Sequence, residues 1–147
     1  MFRIIVLLTL LHFYQPVFST EDTVSQGVAR YLTRIHKYME DEDWINAKRE
    51  LEVTARRYFK NEDSYERALI NQLYGQFYAL QRDYKNATPW FEKAIAKGRL
   101  PFAADLQVTY SLAQCYFQTG RYQDVIKTLE NYRNKAEKRG QNMAPIQ

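Results

Sequence analysis

Side chains able to make and break bonds are few in this chain and far apart. The histidines are His12 and His36, and the single cysteine is Cys115. A catalytic triad or a metal centre needs several such groups converging on one point. One cysteine and two scattered histidines supply no ligand set at a metal spacing. The acidic triplet Asp41-Glu42-Asp43 is followed by no glycine-bearing calcium loop, so it reads as a polar turn capping the next helix. Cys115 lies in an apolar helical stretch and reads as a small buried hydrophobe, with an intermolecular disulfide as the alternative. Enzyme chemistry, a metal and a cofactor are therefore not expected. What remains is non-covalent recognition, and for that the chain is well supplied. It carries 12 Tyr, 8 Phe and 2 Trp. Such rings fill large gaps at helix crossings, while a tyrosine hydroxyl stays at the rim of the packed core.

The elements that must carry these rings are helices. Leu69, Leu73, Phe77 and Leu80 recur at three- and four-residue steps, as do Trp90, Ala94 and Ile95. No alternating stretch bounded by hairpin turns occurs, so strands are not expected. The pattern also repeats over a longer distance. Trp44 with Ala47, Tyr84 with Ala87 and Tyr122 with Val125 align at offsets of 40 and 38 residues. Three units result, at about 22–59, 63–98 and 102–139, each of two helices joined by a short polar turn. Asp63 with Glu66 resembles a capping box at the start of the third helix. Gly98 and Pro101 close the fourth, and Thr119-Gly120 closes the fifth. Pro89 allows two outcomes: a helix beginning at Thr88, or a kinked helix running from Tyr84, which the repeat alignment favours. The fold class predicted is all-α, an α-α superhelix of six helices.

Bulk properties narrow the partners. The net charge is +4 and basic residues are interleaved with acidic ones, which gives no nucleic-acid surface. The most basic stretch, Lys127 to Arg139, reads as compensation of a helix dipole. At the start, Met1-Phe2-Arg3 precedes an apolar run from Ile4 to Tyr14, then Pro16 and small residues near Ser19. This is the layout of a secretory signal peptide over residues 1–19. The run is shorter than the roughly twenty residues a membrane span needs. The expectation is an exported, periplasmic protein with a solenoid domain over 20–139 and a disordered tail over 140–147. An uncleaved signal anchor tethering the same domain to the membrane is the alternative.

The second and third units resemble tetratricopeptide repeats. Asn71, Tyr74, Gly75 and Tyr78 stand in the places of the motif W-x2-L-G-x2-Y, followed by Tyr84, Ala87, Phe91, Ala94 and Pro101. The third unit gives Leu112, Ala113, Tyr116, Gly120, Tyr122, Val125 and Leu129. The first unit departs from the motif, with Ile35 in the small-residue place and Thr54 in an alanine place. In this resemblance Gly75 and Ala113 admit a close crossing, Ala87 and Ala94 make the matching groove, and Tyr78, Tyr84 and Phe91 fill the space between hairpins. It also implies that the first helix of each pair lines a concave face, here with Leu32, His36 and Met39; Leu69, Gln72, Gln76 and Ala79; and Gln107, Tyr110, Gln114 and Phe117. Glutamine amides bond both donors and acceptors of a peptide backbone, so the implied partner is a protein or peptide segment. His36, Gln76 and Gln114 stand where relatives that grip a carboxyl terminus carry a basic clamp, which argues against that ligand. Leu112 to Phe117 is also similar to periplasmic repeat proteins of TonB-type systems, which implies an inner-membrane energy-transduction complex as partner. Self-association through terminal helices, giving a homodimer, is the competing expectation. The inward stripe expected on the last helix is Val125, Ile126, Leu129, Tyr132 and Ala136.

Overall fold

The computed structural model describes residues 26–58, 61 and 63–138, with the side chains of residues 26, 27 and 58 left aside. The expected signal peptide and tail lie outside the described residues. Six helices follow one another: α1 Gln26–Glu40, α2 Trp44–Tyr58, α3 Tyr65–Leu80, α4 Tyr84–Ile95, α5 Phe102–Gln118 and α6 Tyr122–Lys138. No strand occurs among the described residues. Each helix packs on the next, so the chain is an α-α superhelix of three helical hairpins.

The turn inside each hairpin is built the same way three times. Asp43 N–H donates to the Tyr38 carbonyl at 2.8 Å, Asp83 N–H to Tyr78 at 2.9 Å and Arg121 N–H to Tyr116 at 2.9 Å. The residue before each donor is left-handed: Glu42 at φ 56°, Arg82 at φ 61° and Gly120 at φ 75°. This is a helix C-terminus closed by a six-residue hydrogen-bonded loop. The first two hairpins then cap the second helix with an aspartate. Asn46 N–H donates to Asp43 Oδ1 at 3.1 Å, and Asn86 N–H to Asp83 Oδ1 at 3.2 Å. In the third hairpin the polarity is exchanged: Arg121 takes the aspartate place and donates to Asp124 at 2.7 Å.

Two expectations at helix starts are corrected or decided. Ser64, not Asp63, caps α3, its hydroxyl accepting from Arg67 N–H at 3.1 Å. Asp63 instead pairs with Lys97 at 3.4 Å. Helix α4 begins at Tyr84 and passes through Pro89, so the start at Thr88 does not occur. Pro89 stands in the first turns of the helix, where its missing N–H removes a single backbone bond.

The positions carrying the repeat pattern are inside. Ala87 and Ala94 are fully buried, and Gly75, Phe91, Ala113 and Tyr116 are buried around them. Thr54 also fills an alanine place without exposure, because its hydroxyl donates to the Glu50 carbonyl at 2.7 Å. In the first hairpin Ile35 and Leu51 together fill the crossing, both fully buried. Hairpins join through rings and one strong bond. Trp44 meets Phe77 edge-on at 6.0 Å. The Tyr116 hydroxyl donates to Glu92 Oε1 at 2.5 Å.

Candidate functional site

The first helices of the hairpins present a face of mixed character. In α1 the predicted face residues Leu32 and Met39 are buried in the core with Val28 and Ile35, so neither is available to a ligand. The cause is the irregular first repeat, whose aliphatic residues close on α2 and α3. His36 is half-buried. Burial lowers its pKa, opposed by the Glu40 charge and by a bond to the Leu32 backbone. In α3, Leu69 packs between the two core clusters. Gln72 and Gln76 follow it at steps of three and four residues on the same stripe. Their side-chain oxygens are buried and have no hydrogen-bond donor among the described residues.

In α5 the predicted face separates into two stripes. Gln107 and Gln114 are half-buried and two helical turns apart on one. Tyr110 and Phe117 have the same spacing on the other and turn toward α6. The Tyr110 ring lies 6.3 Å from that of Tyr132, and Phe117 meets Tyr122 edge-on at 5.8 Å. Leu32 and Met39 are thereby withdrawn from the predicted groove, and Tyr110 and Phe117 lean toward α6. Leu69, Gln72, Gln76, Gln107 and Gln114 make an amide-bearing face, and Tyr110 and Phe117 belong to an aromatic end face.

That end face was only partly legible. Tyr122 is 60% exposed, unlike its repeat counterpart Tyr84, because no further hairpin among the described residues covers it. Ile126 was expected in the inward stripe and is 54% exposed. Val125, Leu129, Tyr132 and Ala136 follow one another at steps of four, three and four residues and share the α5-facing side. Ile126 is one residue out of phase with Val125 and so points away. Tyr78 and Tyr84 remain half-buried between hairpins, as expected of them.

A shallow cleft between the first two hairpins went unpredicted. It encloses about 280 Å³ and is lined by Trp44, Ile45, Lys48, Phe77, Tyr78, Gln81 and Asp83. Ile45 is 75% exposed there. The available signal was register: the matching places in the later repeats hold Lys85 and Gln123, so an isoleucine there is out of pattern.

Reactive groups are quenched. Cys115 is buried, and burial pushes its thiol up to about 12, which leaves no thiolate near neutrality. Burial likewise raises Tyr74 to about 12; its ring stacks on Trp90 at 4.3 Å. Tyr116 is raised by burial and by its bond to Glu92. Among the described residues no three His, Cys, Asp or Glu side chains come together as a metal site, and no helix is long and apolar enough to cross a membrane.

Residues 80–140 are similar to the family described as anaphase-promoting complex, cyclosome, subunit 3. The matched stretch begins at the end of α3 and runs through the third hairpin. No curated protein and no solved structure matches the chain. The matched family is of the tetratricopeptide-repeat type, in keeping with the three helical hairpins.

Proposed function

We propose that this chain is an exported, non-catalytic scaffold that holds a protein or peptide segment against the inner face of α3 and α5. Repeat families of this type serve protein–protein interaction, which supports the general reading. The observation that carries the particular site is the pair of amide oxygens on Gln72 and Gln76, buried without donors. Leaving a buried acceptor unpaired costs about 1–3 kcal/mol. Two such groups one turn apart are a standing penalty that a guest backbone removes by supplying N–H donors once the amides turn about their last side-chain bond. Gln107 and Gln114 extend the same amide chemistry along α5.

Export rests on residues 1–19, and the periplasm is the compartment that layout supports best. An accessory role at a TonB-type energy-transduction complex is the specific form of the proposal suggested by Leu112 to Phe117. Two measurements test it. The mass of the secreted chain should correspond to a start at Thr20; retention of residues 1–19 favours the tethered form instead. The variant carrying Gln72→Ala and Gln76→Ala should keep its helical circular dichroism and lose the proteins that the parent chain retains from a periplasmic extract. Identical retention by both chains would remove the amide face from the proposal.

A further inference from the structure

We infer that the cleft between the first two hairpins binds one free α-amino acid with a bulky apolar side chain, its carboxylate on Lys48 and its ammonium on Asp83. Trp44, Phe77 and Tyr78 give the cleft a continuous aromatic lining. Phe77 meets Trp44 edge-on at 6.0 Å and Tyr78 edge-on at 5.2 Å, and its own ring is anchored in the core. The volume of about 280 Å³ lies just below the range of drug-sized ligand sites, so the room is that of one small molecule.

The repeat register shows why this junction is open. Moved forward by one repeat, Ile45, Lys48, Tyr78 and Asp83 fall on Lys85, Thr88, Tyr116 and Arg121. The later junction is filled by the chain itself. Thr88 is 5% exposed, its hydroxyl donating to the Tyr84 carbonyl at 2.8 Å, and the Arg121 guanidinium lies 4.4 Å from the centre of the Tyr116 ring. In the first junction Lys48 holds the sealing place of Thr88. An ammonium keeps to water, and Lys48 is exposed. Ile45 takes the outer place that Lys85 has later, so an apolar side chain stands at the lip. Asp83 replaces Arg121, so the turn lays no guanidinium over the Tyr78 ring.

The ligand follows from the two charges on the walls. Lys48 and Asp83 both line the cleft, and neither forms an ion pair among the described residues. The Asp83 carboxylate accepts from the Asn86 backbone at 3.2 Å and from its amide at 2.7 Å. Both donors are neutral, so the charge stays uncompensated, and a carboxylate has further lone pairs to offer. A complementary molecule therefore carries an anion and a cation close together beside an apolar group. An apolar α-amino acid does so, because both charges sit on the carbon that bears the side chain. The interior of a peptide does not, since its amide bonds consume both. A simple carboxylate or amine answers one wall and leaves the other charge partly desolvated without a partner.

The test titrates the isotope-labelled full chain with L-phenylalanine and L-leucine up to about 10 mM and follows it by nuclear magnetic resonance. The Trp44 indole N–H should shift along a saturable curve with an apparent Kd of about 1 mM or tighter, while that of Trp90 stays in place. Phenylpropionate lacks the ammonium, phenylethylamine the carboxylate and N-acetyl-L-phenylalanine amide both charges. Each should bind at least about tenfold more weakly than phenylalanine. Lys48→Gln and Asp83→Asn should each weaken binding about tenfold. Lys48 is exposed, and asparagine caps a helix as well as aspartate does, so both variants should fold. If one does not, the analogue series on the parent chain still decides. The Gln72→Ala, Gln76→Ala variant should bind phenylalanine like the parent, which separates this site from the peptide-holding face. A Trp44 signal that does not move, or a blocked amide bound as tightly as the free amino acid, overturns the inference. Binding that survives both wall substitutions, or that is lost with the glutamines instead, overturns it equally.

Discussion

In the middle hairpin a Cβ built on Gly75 would come within 2.5 Å of the Phe91 ring. In the last hairpin the same two repeat positions hold Ala113 and Leu129. One crossing takes the smallest residue with an aromatic ring; the other takes a methyl with a branched aliphatic chain. Volume is exchanged across the interface at roughly constant total, which is how close-packed interiors tolerate change. The first hairpin departs from that balance: Ile35 and Leu51, both fully buried, put more volume into its crossing than either other pair. The second difference is coverage. The middle hairpin is packed on both sides, by α2 and by α5, and Phe91 is 2% exposed. The last hairpin has a neighbour on one side among the described residues, and Leu129 is only half-buried. The same repeat thus makes a core in one place and a surface in another.

The largest test of that contrast truncates both members of the matched pair. Phe91→Ala should destabilise the fold by about 3–5 kcal/mol, the range for a fully buried ring. Leu129→Ala should cost about 1–2 kcal/mol, less than a buried leucine because its site is open on one side. Urea unfolding of the two variants checks it. Equal losses would mean that something covers α6 in solution as fully as α5 covers α4.

The next test exchanges the crossings. Gly75→Ala gains about 1 kcal/mol of helix propensity but places its methyl against a ring with little room to move, which costs about 1–3 kcal/mol. The clash should win, for a net loss of about 1 kcal/mol. Adding Phe91→Leu recreates the pair of the last hairpin. The double variant should then be more stable than the sum of the two single effects predicts, by about 0.5–3 kcal/mol of coupling. Strict additivity would show that Gly75 is there for some reason other than the Phe91 ring.

Much of this was legible from spacing. Gly75, Ala87, Ala94 and Ala113 were readable as crossing positions because small residues recurring with rings at a fixed period have few other uses. The stripe of α6 departs from expectation at Ile126, because apolar character gives no direction and only phase does. The exposed state of Tyr122 was not legible from the repeat motif, which states what a position does when a next repeat exists. For the groove, the first repeat misled. Leu32 and Met39 occupy positions that face outward in a regular repeat, but with Ile35 at the crossing they are drawn into the core. The buried oxygens of Gln72 and Gln76 could not be read from sequence, since an amide's satisfaction depends on neighbours across the fold.

The smallest effect concerns the turns and separates the hairpins by backbone alone. Arg82 and Gly120 stand at matching places with φ 61° and 75°. A left-handed conformation costs an L-residue about 1–2 kcal/mol, and glycine essentially nothing. Nothing lies within 4 Å of a Cβ added at Gly120, so Gly120→Ala tests the backbone without a clash. It should lose about 1 kcal/mol. Arg82→Gly relieves the strain in the middle hairpin but gives the unfolded chain more freedom, which offsets about 0.4–1 kcal/mol. It should therefore gain under about 1 kcal/mol. The opposite signs are the informative part. Both residues precede the same backbone bond, to Tyr78 and Tyr116 respectively, each at 2.9 Å. If Arg82→Gly is destabilising, the arginine side chain contributes something at the turn beyond its backbone angle, and the three turns are alike in geometry but not in cause.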